Sequence, residues 1–352
     1  MTDYLKYLPV DNGDTILIKA GDDTVITDIH YRTSVSDIYD IKNDITESCK
    51  NNKLSYFVLT HTDKDHVLGF GELFHCGAPS EHKGEKDERI LVKEIVCSNY
   101  LLELTNPTEQ SKDIVKEIRR RNNLKSDKSI DGNRLRIVED GDTIEVNSLL
   151  TGKVMSPSQT ELDASDPKAE TDSENNNVSV VIQWSYKQPN GIESLILLGG
   201  DAENPVWARL NDEKSTSELS WHVCSAFHHC SLTPFATKDN SRDEYVDNDK
   251  AVAALSNKKG SGFVVSSSKE IKRDDDNPPH YKAKNKWKKI LDNDSAEADK
   301  RFFCTATYGE GNKPAPVVFD LTSKGIKVSG SGSKMNAALP SVGLDRTTKY
   351  GK

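Results

Sequence analysis

The sequence predicts an α+β chain in which sheets are stacked in layers and covered by helices. Three observations carry this reading. Short apolar runs such as Tyr56–Leu59, Leu195–Leu198 and Gly262–Ser268 are long enough for buried strands and too short for buried helices. Between such runs lie segments with apolar residues at three- and four-residue spacing, as in Val35, Ile38, Ile41 and Ile45, the pattern of an amphipathic helix. A chain of 352 residues whose strand-rich halves are separated by helices needs layers over both sheet faces to bury its core.

Composition narrows the class. The chain is 35% apolar with a mean hydropathy of −0.66, and no apolar run approaches the roughly 18 residues a membrane span requires. The N-terminus has no basic segment followed by an apolar core, so no secretory signal is read there. Cys49, Cys76, Cys97, Cys224, Cys230 and Cys304 form no Cys-x-x-Cys pair, and free thiols in a reducing compartment are the simplest account. The net charge of −9 argues against a broad basic surface for nonspecific nucleic-acid binding but leaves room for a local basic groove. A cytoplasmic enzyme with no membrane partner is expected.

Taken in order, the chain opens with strands around the Asn12-Gly13-Asp14 turn. The next hairpin, Thr15–Lys19 and Thr24–Thr27, delivers Asp28 and His30 to a strand end. Asp28 is placed to buttress a metal loop; His30 reads as a surface or hydrogen-bonded histidine. Residues 34–53 read as a helix capped by Ser34 or Ser36. Residues 77–89 read as an exposed loop with a solvated His82. Ile90–Ser98 is the next strand, and Glu109–Asn122 is a helix whose closing Arg119-Arg120-Arg121 reads as a solvated end. Arg134–Val146 looks like a hairpin turning at Asp140-Gly141-Asp142. The polar stretch Pro157–Asn177 reads as a flexible cover and as the seam between two halves. Strands follow at Val178–Trp184 and Ser194–Leu198, and a basic helix begins at Tyr281. Residues 331–352 form a tail beyond a single domain spanning 1–330.

Three strand ends carry candidate chemistry. After Tyr56–Leu59 the polarity reverses, with His61, Asp63, Asp65 and His66 packed into six residues. Carboxylates this close repel unless a cation sits among them, and imidazole with carboxylate suits zinc, manganese or iron. Asp201 emerges after Leu195–Leu198 and Gly199-Gly200, and a carboxylate there can bridge two cations. His228 and His229 follow a third apolar run. On an extended backbone the two would point opposite ways, giving one ligand, with a slight preference for His229, and one group that either supports a ligand or contacts substrate. His280, before the basic helix, reads either as a proton or hydrogen-bond donor to a substrate phosphate or as a helix-start histidine without chemistry.

These marks together resemble the metallo-β-lactamase fold, in the branch of the C-terminal hydrolase domain of ComEC, the competence DNA-uptake protein. The residues that carry the resemblance are Asn12-Gly13-Asp14 with Asp28, His61-x-Asp63-x-Asp65-His66, Asn176-Asn177-Val178-Ser179, Leu197–Asp201, His228–Ser231, and Asn277 with His280. Asp63 stands where most of the superfamily has histidine. The resemblance implies an αββα sandwich of two packed mixed sheets with helices on both outer faces. It also implies one or two divalent cations, zinc or manganese, with magnesium as a further option. One cation would take Asp65, His66, Asp201 and a histidine of the 228–229 pair. The other would have only His61, Asp63 and the shared Asp201, because no histidine lies between His82 and His222. Cys230 occupies a position where this branch carries glycine.

The expected activity is metal-assisted hydrolysis by a phosphodiesterase or nuclease. A water between the cations gives up its proton, with Asp65 or Asp63 assisting its orientation, and the resulting hydroxide attacks phosphorus or a carbonyl carbon. DNA or RNA is the first substrate class, and Lys286, Lys288, Lys289 and Trp287 offer a basic, stacking surface for it. A small phosphocholine-type ester is the alternative. A third reading is a degenerate metal-binding scaffold with protein partners in a multi-subunit system such as antiviral defence against phage.

Overall fold

The computed structural model describes residues 2–32, 39–168, 172–239, 241–273, 278–310 and 313–329. The expected caps Ser34 and Ser36, Asn277 and the 331–352 tail lie outside them. Among the described residues two large mixed sheets face each other. The first runs, edge to edge, Gly325–Val328, Val317–Thr322, Tyr4–Tyr7, Ile16–Ala20, Asp23–Thr27, Lys53–Val58, Leu91–Cys97, Arg134–Ile137. The second runs Phe302–Cys304, Lys258–Ser266, Trp221–Ser225, Glu193–Leu198, Val181–Lys187, Leu150–Ser156, Thr143–Glu145.

Period-two alternation explains why both faces of each sheet are buried. In the first sheet Ile16, Ile18, Val58 and Val96 point inward, where they meet Ile182, Trp184, Ile196 and Val265 of the second. Their neighbours Leu17, Ile26, Phe57 and Ile95 point outward, against Ile41, Ile45, Ile114 and Ile118 of the helices Ile41–Ser48 and Lys112–Asn122. On the second sheet Val181, Leu197, Cys224 and Val264 face outward onto Val206, Trp207, Leu210, Leu255 and Trp287. The result is four layers, helix, sheet, sheet, helix, as the sequence predicts.

Local expectations fare unevenly. The first helix runs only Ile41–Ser48, capped by the Asp40 side chain, because Asn51 and Asn52 take a left-handed turn into the strand Lys53–Val58. Residues 77–89 hold two short 3₁₀ turns, and His82 is half-buried with its Nε2 at 2.9 Å from the Arg89 carbonyl oxygen. The supposed hairpin 134–146 is not one. Arg134–Ile137 pairs in parallel with Leu91–Cys97 in the first sheet, whereas Thr143–Glu145 pairs with Leu150–Ser156 in the second. The chain therefore changes sheets here, and 157–177 is not the seam. That stretch holds the helices Gln159–Ala164, with a Ser158–Glu161 capping box, and Asp172–Asn177.

The arginines closing Lys112–Asn122 are structural. Arg121 is buried, donating to Glu117 at 2.7 Å and to the carbonyl oxygens of Val92 and Arg134, and Arg120 also grips Glu117. The expected stacking surface on Tyr281–Leu291 is not there either. Trp287 is fully buried against Phe235, with ring centroids 4.9 Å apart, while Lys286 pairs with Asp247 and Lys288 with Asp299. Ala283, Trp287 and Leu291, four residues apart, form the inward face of that helix. Trp287→Ala is expected to cost about 3–5 kcal/mol of stability, read as a lower denaturant midpoint. An unchanged midpoint would place this ring outside the core.

Candidate metal centre

The site lies where parallel strands of both sheets end. Asp23–Thr27 and Lys53–Val58 run in parallel and deliver Asp28 and the loop Thr60–His66. Glu193–Leu198, Trp221–Ser225 and Lys258–Ser266 are mutually parallel and deliver Asp201, the tandem histidines and Ser267. Carboxyl ends of parallel strands leave a crevice for ligands in open α/β sheets. Two glycines let the strand ends close up. Gly200, at φ +50°, would place a Cβ 2.5 Å from Thr60 Oγ1, and Gly13 would place one 2.0 Å from His30 Nδ1 and 2.8 Å from the Asp65 carbonyl oxygen.

Four imidazoles converge on Asp201. His66 Nε2 is 3.1 Å from Asp201 Oδ1, and the Nε2 atoms of His228, His229 and His61 are 3.6, 3.6 and 3.9 Å from Oδ2. His229 Nε2 also lies 3.1 Å from Asp65 Oδ2 and 3.3 Å from His66 Nε2, and His61 Nε2 is 3.6 Å from Asp63 Oδ2. The other nitrogen of each ring is spoken for. His66 Nδ1 donates to Asp28 Oδ2 at 2.7 Å. Thr60 gives its hydroxyl proton to the same carboxylate at 2.6 Å, so its oxygen accepts from His61 Nδ1 at 3.0 Å. His228 Nδ1 donates to Thr233 Oγ1 at 2.9 Å. His229 Nδ1 faces both the Ser267 carbonyl oxygen at 2.9 Å and the Gly13 N–H at 3.2 Å; a carbonyl only accepts, so this nitrogen carries the proton. All four Nε2 atoms are thereby turned toward the carboxylates, the arrangement that buried metal-binding imidazoles adopt.

The tandem histidines reach Asp201 by an unusual backbone. His228, His229 and Cys230 have φ of 50°, 49° and 64°, three consecutive left-handed residues that each cost about 1–2 kcal/mol. The extended geometry expected from sequence would have split the rings to opposite sides; the left-handed turn aims both inward. Cys230 adopts the left-handed conformation natural to glycine. His280, buried at the start of Tyr281–Leu291, donates its backbone N–H to the Cys230 carbonyl oxygen at 2.9 Å, and its ring lies 5.9 Å from that of Tyr245. It thus backs the histidine turn.

Charge at the site is strongly coupled. Burial works against charging His229, yet Asp201, Asp65 and Asp14 outweigh it and raise its pKa to about 9. Burial likewise opposes charge on His66, and Asp201 and Asp28 overcome it, holding that ring well above the usual imidazole range. Burial and neighbouring His66 push His61 down to about 4. Asp201, despite burial, is held well below the carboxylate range by His66, His228 and His229. The donor set fits a divalent cation. His61 Nε2 is buried with no hydrogen-bond partner, and protons shared between His66, His229 and the carboxylates occupy the place a cation would take. Two ligand trios, His61, His66 and Asp201, and Asp65, His66 and His229, bring their donor atoms within 4.8 Å of one another. The site opens where side chains keep exposure, at Asp65 (32%), Asp63 (22%) and His228 (21%), against 4% or less for His61, His66, Asp201 and His229.

No protein-family model and no curated protein matches the sequence. Solved structures are similar to it. A mutant CmlA β-hydroxylase aligns over 91% of this chain and 54% of its own, at 9% identity and a TM-score of 0.46. A possible metal-dependent hydrolase from Veillonella parvula aligns over 90% and 99%, at 10% identity and a TM-score of 0.39. BJP-1, a subclass B3 metallo-β-lactamase of Bradyrhizobium japonicum, aligns over 71% and 89%, at 13% identity and a TM-score of 0.34. The chain spans about half of the CmlA protein, as the 54% coverage states. These likenesses bear on the fold alone, and the chemistry of the site rests on its own side chains.

The structure brings together His61, Asp63, Asp65, His66, Asp201, His228 and His229, the ligand candidates of the sequence. It also brings in residues to which the sequence assigned no role. Asp14 lies beside Asp28 and His66, its carboxyl raised to about 6 by burial. Asn175 donates to Asp63 Oδ1 at 2.8 Å, and Asn176 donates to Glu203 Oε1 at 3.3 Å. The Asn12 side chain ties the Lys269 N–H to the Pro278 carbonyl oxygen. Among the described residues no helix is long and apolar enough to cross a membrane.

Proposed function

We propose that this chain is a divalent-metal-dependent hydrolase of phosphodiesters, of the metallo-β-lactamase type and the ComEC-like branch. The supporting observation is the convergence of four Nε2 atoms on Asp201 with every Nδ1 already engaged. Mixed nitrogen and oxygen donors suit zinc or manganese, and magnesium less well. A bound divalent cation supplies Lewis acidity, lowering the pKa of water and polarising the ester. The chain's own residues do the rest. Asp65 and Asp63, at the solvent-facing rim, are placed to orient a water. Asp28 and Thr60 hold two rings in one tautomer, and the left-handed turn fixes the other two.

A small phosphodiester, of the phosphocholine type among others, is favoured over a long nucleic acid by one specific observation. Trp287 is in the core and Lys286 and Lys288 are paired with acids, which removes the stacking ring and two of the three lysines expected to hold a strand of DNA or RNA. The test is an assay with manganese or zinc on an aryl phosphodiester beside linear, circular and single-stranded DNA and RNA. Turnover of the small ester alone is expected. Cleavage of nucleic acid at comparable efficiency would restore the nuclease. A purified protein that binds no cation would overturn the hydrolase and leave the scaffold in a multi-protein assembly.

A further inference from the structure

A recess of about 710 Å³ opens at the end of the first sheet remote from the metal centre. We infer that it binds a small amphipathic anion, an apolar body carrying one carboxylate, sulfonate or phosphate. Lys53–Val58, Leu91–Cys97 and Arg134–Ile137 are parallel, and Lys53, Leu91 and Asn133 line the recess at their amino ends. The metal loop follows the carboxyl end of Lys53–Val58, so the inference does not depend on the hydrolase reading. The volume falls within the range of small-molecule sites. Both walls are fixed in advance. The Asn52 amide donates to the carbonyl oxygens of Gly84, Asp87 and Arg89 at 3.1, 3.1 and 2.9 Å, pinning the loop that carries Pro79 and His82. Opposite it, the buried Asn133 side chain donates to the Asp127 carbonyl oxygen at 3.1 Å and accepts from Arg120 at 2.9 Å.

Pro79, Leu91, Leu124 and Ile130 give the recess its apolar lining. Ile130 is 48% exposed and, with Val246, is one of two large apolar side chains left in water among the described residues. Charge then decides the sign of the ligand. The Lys53 side chain is half-buried, and its ammonium has no partner among the described residues. A cation partly withdrawn from water and unpaired gains from an anion. Beside it Glu117 answers two guanidiniums, Arg120 at 2.8 Å and Arg121 at 2.7 Å, which leaves a positive charge over. Of the five N–H groups of Arg120, four are spent on Glu117, Asn133 and the Gly132 carbonyl oxygen, and one on Nη1 remains. Lys53 and that N–H are the donors the recess offers. The other charged groups do not answer them. Asp131 is tied to Arg134 at 3.2 Å, Asp127 is exposed on the rim, and His82 spends both ring nitrogens on Arg89 and Gly84. The net charge of −9 repels a polyanion, so a ligand with a single charge fits best.

Fluorescence titration of the folded, full-length protein with anilinonaphthalene sulfonate, an aryl monoanion, tests this. One saturable site is expected. Lys53→Met is expected to weaken binding about 10- to 100-fold, the scale of a hydrogen bond to a charged group, and Lys53→Arg to retain it. Ile130→Asp, which sets a carboxylate at the lip, is expected to weaken it as well. Both side chains keep contact with solvent, so the variants should fold, and their melting curves check that they do. Phenylnaphthylamine, a similar aryl body without the sulfonate, is expected to bind weakly and alike to the wild type and Lys53→Met. Asp201→Ala is expected to leave binding of the sulfonate unchanged. No saturable binding, or binding untouched by both Lys53→Met and Ile130→Asp, would overturn the site. Loss of binding in Asp201→Ala would seat the probe at the metal centre and overturn it equally. Tight binding of the uncharged probe would overturn the preference for an anion.

Discussion

Asp201→Ala is expected to abolish cation binding and lower kcat/KM about a thousandfold. Asp201 is the one carboxylate that all four imidazoles face, at 3.1 to 3.9 Å, and it is almost fully buried. In the proposed centre its charge is what the four rings share, so its loss is felt by every one of them. Removing cation-assisted stabilisation of the transition state forfeits several kcal/mol, and each 1.36 kcal/mol is tenfold in rate. The fold should survive, because the Asp201 side chain takes no part in the sheet ladder and Gly200, not Asp201, makes the tight approach to Thr60. Isothermal titration with manganese or zinc, beside a melting curve of the metal-free protein, separates the two effects. A variant that still hydrolyses the ester at near wild-type rate would mean that the chemistry lies elsewhere or belongs to a contaminant.

How far the sequence could be read depended on the reach of each signal. His61, Asp63, Asp65, His66 and Asp201 were legible because each comes after an apolar run that can only be a buried strand, and a polar group after such a run stands at a sheet edge. Layering was legible because strand-like runs separated by helical spacing need cover on both sheet faces, while the sandwich itself came from the resemblance. The change of sheet after Ile137 was not, because Asp140-Gly141 between two β-like runs is also the signature of a hairpin. The aim of His228 and His229 was hidden for a different reason. Three successive non-glycine residues in the left-handed region run against local preference, and tertiary contacts must hold them. Trp287 was misplaced because its lysine neighbours drew the reading to charge, whereas Ala283, Trp287 and Leu291 mark a buried face by their spacing. The contacts of Asn175 and Asn176 with carboxylates 112 and 27 residues away leave no local trace.

The second large effect is expected at a residue that touches no cation. Asp28→Asn should weaken metal binding by about 100-fold, the upper end for a residue behind a metal ligand, because it disturbs two rings at once. Asn is the informative replacement: Asp28 sits at φ 58°, a left-handed conformation Asn tolerates, so the backbone need not move. The amide oxygen can still accept the Thr60 N–H, as Asp28 Oδ1 does at 2.8 Å. Its NH₂ group then replaces Oδ2, which accepts from the Thr60 hydroxyl at 2.6 Å and from His66 Nδ1 at 2.7 Å. A donor now faces donors. His66 loses the carboxylate that accepts its Nδ1 proton when a cation takes the other nitrogen, and Thr60 turns its hydroxyl, taking the acceptor away from His61 Nδ1. His61 then presents N–H where a lone pair is needed, and His66 is left with a donor facing its Nδ1 proton. Titration with manganese should show the loss, with the melting temperature of the metal-free variant little changed. Full affinity in the variant would mean that Asp28 is a structural carboxylate and that His61 and His66 are oriented by packing alone.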